Sequence, residues 1–214
     1  TWKPGEMDYP VITVDGLGHG GFGTAPEGAP AHWIGHVYVG DAEAAGTRAA
    51  GAGGTVPGPP MDIPEVGRVV PIVDPQGAAI SAFQPAADPP PLGRVFLWDE
   101  LMAADVEGAA AFYVRLFGWT PAPVDMGGLT YTLLNRPDGS NAAGLMAPPP
   151  GTPGPARWVP YLATGDVDAT VSRAGGLGGT PVVPPMDVAG VGRIAMVVDP
   201  MGAAFGLLAP AEAA

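Results

Sequence analysis

Few residues in this sequence have side chains that could carry chemistry. There is no cysteine, which removes thiolate nucleophiles, disulfides and zinc-thiolate sites together. The three histidines are His19, His32 and His36, and no two have the i,i+4 spacing that sets a pair of imidazoles on one helical face. His36 lies in the stretch 33–39 (WIGHVYV), whose β-branched and aromatic run reads as a strand; alternation places it on one face with Ile34 and Tyr38, with Trp33 on the other. There an imidazole either meets a ligand or moves a proton, or it is simply hydrogen-bonded within the sheet. Glu100, in a second strand-like stretch at 96–102, shares a face with Trp98 and Met102, while Asp99 points the other way. A carboxylate on a concave sheet face is costly unless it is solvated, paired or used. Glu100 is therefore a candidate acid or base, or a wet group near a mouth.

Other motifs point away from common chemistries. Arg68 and Arg193 each follow Val-Gly and would clamp an anion, or pair with Asp62 and Asp187 six residues earlier. Met61 and Met186, in Pro-Pro-Met-Asp, either line a pocket or pack a turn. The run Gly16 to Gly23 has no Gly-Lys-Ser/Thr ending and opens no helix, so it is not a phosphate loop. Gly-x-Ser-x-Gly is absent from both repeats and Ser81 has no evident base, which excludes a serine hydrolase.

The elements that position these residues come in a repeat. Residues 33–85 align without gaps on 158–210 at an offset of 125, with 24 of 53 positions identical. Each copy predicts a strand; a helix at 42–50 or 167–174, capped by Asp41 or Asp166; a closing glycine pair; an extended stretch at Pro-Pro-Met-Asp; and two strands flanking an Asp-Pro-x-Gly turn. Trp33 and Trp158 recur on the face away from His36 and are expected in the core. A related unit lies between the copies: a strand at 96–102, a helix from Asp105 to Phe117 closed by Gly118-Trp119, and strands near 129–134 and 142–146.

The chain has 214 residues, 9 basic against 21 acidic, and a formal charge of −12, so nucleic acid and anionic membranes are excluded as partners. Glycine (34) and proline (28) are abundant, but they punctuate apolar runs in a sequence that is 47% hydrophobic, as turns in a sheet-rich fold do. With no apolar run of bilayer length and no signal-peptide pattern, the expected location is cytoplasmic. The predicted organisation is a first domain at 1–85, a proline-rich linker at 86–92 and a second domain at 93–214. The first domain starts where its own opening strand and helix should already have passed. A truncation, an unobserved segment, or a homodimer or complementing chain supplying that segment would each account for it.

The helix ending in Phe112-Tyr113-x-x-Leu-Phe-Gly-Trp119, the Asp-Pro-x-Gly turns and the paired β-α-β-β-β modules together resemble the vicinal oxygen chelate superfamily over nearly the whole chain. Its members include glyoxalases, bleomycin-resistance proteins and extradiol dioxygenases. Pro-Pro-Met-Asp and Val-Gly-Arg are similar to its tandem-domain glyoxalase-like, 27 kDa antigen-like subgroup. The resemblance implies an α+β fold of two tandem domains, each a curved sheet cupping a cavity. It also implies metal ligands seven residues before each capping aspartate, at Ile34, Trp98 and Val159, and four after the turn glycine, at Ser81 and Gly206. None of these is a good ligand for a divalent cation, so no metal and no cofactor is expected. The ligand-lining set is then Ile34, Tyr38, Ser81, Phe83, Trp98, Met102, Val159 and Tyr161, around a small hydrophobic or aromatic compound. The alternative is a metal-independent isomerase, lyase or cyclase using Glu100 or His36 as acid or base with Tyr38 or Tyr161 in support. A third reading is a repeat that serves mainly to dimerise, with its cavities filled by side chains.

Overall fold

A computed structural model describes residues 9–25, 27–88, 95–126, 130–149 and 154–211. Three β-α-β-β-β modules follow one another. The first is β3 (Gly35–Tyr38), α1 (Ala42–Gly51), β4 (Met61–Ile63), β5 (Gly67–Val73) and β6 (Ala79–Pro85). The second is β7 (Phe96–Met102), α2 (Val106–Phe117), β8 (Thr120–Asp125), β9 (Thr130–Asn135) and β10 (Asn141–Met146). The third is β11 (Arg157–Ala163), α3 (Val167–Gly176), β12 (Thr180–Val188), β13 (Gly192–Val198) and β14 (Ala204–Pro210). They are preceded by a hairpin, β1 (Val11–Val14) and β2 (Leu17–Gly21).

Within every module the first strand pairs in parallel with the last, and the middle strands follow antiparallel to an outer edge. This is the α+β architecture that the resemblance implies. Each helix starts at an aspartate: Asp41, Asp105 and Asp166 accept the amides of Ala44, Gly108 and Ala169, each at 2.9 Å. The outer strands β4, β8 and β12 lie at sheet edges, and β8 and β12 carry the prolines Pro121, Pro123, Pro181, Pro184 and Pro185, which an edge tolerates.

Compactness groups the modules across the repeat. One unit gathers Ile34–Pro89 with Asp99–Trp158, the other Thr1–Trp33 and Pro90–Trp98 with Val159–Ala214. Each compact unit thus draws on both sequence segments, 1–85 and 93–214; of the linker, residues 89–92 lie outside the described residues. In the first unit, α1 presents Ala42, Ala45, Gly46 and Ala49 as a small-residue face. Phe112, Tyr113 and Leu116 of α2 join it in one core with Val70, Ile72, Leu101, Leu134 and Leu145. The second unit has a smaller core of Val167, Ala195, Val197 and Leu207. Among the described residues no helix is long and apolar enough to cross a membrane.

Candidate functional site

Strand alternation sorts the side chains of β3 as expected. Val37 and Val39 pack on the core beneath α1, while Ile34, His36 and Tyr38 stand on the opposite face and are exposed, Ile34 by 43% and Tyr38 by 42%. On the neighbouring strand β6, Ser81 is level with His36 and Phe83 with Tyr38. The rings of Tyr38 and Phe83 lie 5.5 Å apart, and His36 meets Phe83 edge-on at 6.2 Å. His36 keeps an open surface in this crowded setting, and burial by its neighbours holds the imidazole below its ordinary pKa, so the ring is neutral at pH 7. Three aromatic rings side by side make a stacking platform for a flat apolar group. Within its unit this face is open to solvent. Ser81 is covered, 1% exposed, and its hydroxyl donates to the Val70 carbonyl at 3.3 Å, so it is a buried sheet residue.

In the same unit, Glu100 on β7 is buried, and Tyr131 Oη donates to its Oε2 at 3.0 Å. In register, Glu100 is level with Gly144 on β10 and Gly144 with Leu133 on β9. Gly144 has no side chain, which leaves Tyr131, two residues from Leu133, a path to the carboxylate. Sequence reasoning missed Tyr131. Its approach to Glu100 depends on the register of β7, β10 and β9, which no local sequence pattern carries. Asp99 belongs to the other face; burial raises its carboxyl pKa and the Arg136 charge partly offsets this. Met102 is buried beside a depression of about 290 Å³ lined also by Gln76, Ala104, Pro148 and Pro155, apart from the His36 face.

In the other unit, Val159 has no exposed surface, Tyr161 is 7% exposed, and Trp98 is half-buried. Tyr161 is level with Gly206 across the parallel pair β11/β14, and a Cβ at Gly206 would stand 2.3 Å from the Tyr161 ring. The ring therefore lies flat over the glycine. A glutamate at 206 would have to displace it.

Arg68 and Arg193 are engaged and free neither to bind an anion nor to catalyse. Arg68 pairs with Asp62 at 2.7 Å and Glu43 at 3.2 Å, and Arg193 with Asp187 at 3.0 Å and with Asp168 at 2.9 Å. Trp158 is on the core side, where its Nε1 donates to Tyr113 Oη at 3.0 Å, while Trp33 is half-buried and meets Phe96 and Phe205 edge-on.

A family model for the glyoxalase-like domain matches residues 97–208. The chain belongs to that family. A curated relative of this glyoxalase-like chain is the protein named "Putative glyoxylase CFP32" of Mycobacterium bovis, 36% identical over 196 residues, which are 87% of this chain and 73% of that protein. The anthracycline biosynthesis protein DauV of Streptomyces sp. (strain C5) is 39% identical over 122 residues, 50% of this chain and 44% of that one. Among solved structures, the 2,2',3-trihydroxybiphenyl 1,2-dioxygenase of Sphingomonas wittichii strain RW1 superposes with a TM-score of 0.54 at 18% identity, over 81% of this chain and 68% of the other. That likeness shows the fold.

The superfamily's metal enzymes hold their cation at positions that here are Ile34, Trp98, Val159, Ser81 and Gly206. Three of the five offer hydrocarbon or indole, Ser81 donates its hydroxyl to a backbone carbonyl, and at Gly206 the place of a side chain is taken by Tyr161. These residues do not fit a divalent cation. Among the described residues no three histidine, aspartate or glutamate side chains gather closely enough to form one elsewhere.

Proposed function

We propose that this glyoxalase-like chain works without a metal and binds a small hydrophobic or aromatic compound on its aromatic sheet faces, sequestering it. The observation that carries this reading is the Tyr161 ring lying over Gly206, which fills with a flat apolar group the space where a metal ligand would stand. The His36, Tyr38 and Phe83 cluster supports it, since it offers π-faces and no fixed charge. Similarity to a protein named for anthracycline biosynthesis makes an anthracycline the first probe. Fluorescence titration should give saturable binding that Tyr38→Ala with Phe83→Ala weakens about tenfold or more. Saturable binding that is indifferent to both changes would contradict the assignment of that face.

A second reading rests on Glu100. Its buried carboxylate, bonded to the Tyr131 hydroxyl, is the arrangement of a positioned acid or base for a metal-independent isomerase, lyase or cyclase. Under it Glu100→Gln lowers turnover by about 10²-fold or more while leaving the circular dichroism spectrum unchanged. Equal turnover in the two proteins would eliminate it.

A further inference from the structure

The repeat supplies two copies of one surface, and only one of them is covered. In the first copy four groups receive α2. The Phe112 ring lies against Gly54, so closely that a Cβ there would be 2.8 Å from it. Tyr113 Oη donates to Asp74 Oδ2 at 3.2 Å. Arg48 Nε donates to the Leu116 carbonyl at 3.0 Å. The Gln76 amide bonds both backbone groups of Asp105, at 2.8 Å each.

At the offset of 125 the second copy keeps Arg173 for Arg48, Gly179 for Gly54 and Asp199 for Asp74, and has Met201 for Gln76. Among the described residues no such helix lies on it. The atoms nearest a Cβ at Gly179 belong to Ala174 and Val197, where at Gly54 they belong to Phe112 and Val73. Asp199 Oδ1 accepts the amides of Met201 and Ala203, as Asp74 Oδ1 does those of Gln76 and Ala78, and among the described residues its second oxygen has no partner. Arg173 is exposed and also has none among them. Leu177 and Met201 are 75% and 77% exposed, more than any other large hydrophobic side chain described. They adjoin Gly178 and Pro200, and a Cβ at Gly178 would be 3.3 Å from the Pro200 ring. Of α3 only Val167 is buried, against four residues of α1.

We propose that α3 and the Asp199–Gly202 turn form a docking site for a helix of the α2 type, one that carries Phe-Tyr and, three residues after the tyrosine, Leu. Its phenylalanine would lie on Gly179, its tyrosine hydroxyl would donate to Asp199, and its final turn would offer a carbonyl to Arg173. A second copy of this chain is not the occupant, because its own α2 is held by its own α1.

The test adds a fluorescein-labelled peptide of residues 96–119 to the full chain and reads anisotropy, with analytical ultracentrifugation of the chain alone. Saturable one-to-one binding is expected. Arg173→Ala on the chain, or Tyr113→Phe in the peptide, should weaken it about fivefold to tenfold, since each removes one hydrogen bond to a charged group. Met201→Gln, at an exposed position, should tighten it about fivefold by restoring the glutamine bonds. Arg48→Ala should leave it unchanged. Absence of binding to natively folded chain, or binding that responds to Arg48→Ala and not to Arg173→Ala, would overturn the proposal. So would self-association of the chain that Met201→Arg abolishes, which would make a second copy the occupant.

Discussion

At the scale of single residues, the strongest constraint is the buried relay Trp158, Tyr113, Asp74. The indole donates to the phenol, the phenol to the carboxylate, and the carboxylate also accepts two backbone amides. Burial, and then the Asp74 charge, pushes the Tyr113 pKa far up, so it remains a hydrogen-bond donor. Tyr113→Phe leaves the buried Trp158 N–H and one Asp74 oxygen unpaired and should cost about 1–3 kcal/mol, read as a lower urea midpoint with an unchanged slope. An unchanged midpoint would mean that water replaces the hydroxyl. His36 gives a pH signature. Its folded pKa is depressed, so above about pH 6.5 the imidazole is neutral whether the chain is folded or not and no stability is lost. As pH falls through that value the unfolded chain takes up the proton first and stability declines, until the folded ring also titrates. His36→Gln should remove this part of the decline, measured as urea midpoints on either side of pH 6.5, and identical pH profiles for the two proteins would contradict the lowered pKa.

At the scale of elements, the fit of helix to helix depends on small residues. Gly54→Ala puts a methyl into the Phe112 ring and the Val73 carbonyl and should destabilise by about 1–3 kcal/mol. Gly51→Ala, in open space at the end of α1, should be neutral or stabilising by up to about 1 kcal/mol. Thermal denaturation of the two variants would separate the effects, and equal shifts would refute the packing argument. These elements differ in how plainly the sequence announced them. The helices were readable because aspartate caps and glycine stops bracket them, and β3, β7 and β11 because they alternate. The edge strand β8 was not, since Pro121 and Pro123 mimic a loop; an edge lets proline omit its hydrogen bond. The β1/β2 hairpin was also passed over, although Asp15-Gly16, both with positive φ, is the turn such a hairpin uses. The faces of β3 followed from alternation, but the Glu100–Tyr131 bond did not, because it depends on a register across three strands that no local pattern encodes.

At the scale of the whole molecule, the chain repeat and the compact units do not coincide, since each unit takes residues from both periods. In this division α1 and α2 fall in one unit and α3 in the other. The family's metal positions are therefore judged strand by strand, where a residue of each first strand stands level with a small one: His36 with Ser81, Glu100 with Gly144, Tyr161 with Gly206. The central claim is that these positions now serve an apolar organic ligand. Native mass spectrometry of the purified chain, with elemental analysis of the same sample, tests it most directly. The account predicts the mass of the chain, or of the chain with one organic adduct, and no stoichiometric metal; one equivalent of a divalent metal that persists through a chelator would contradict it.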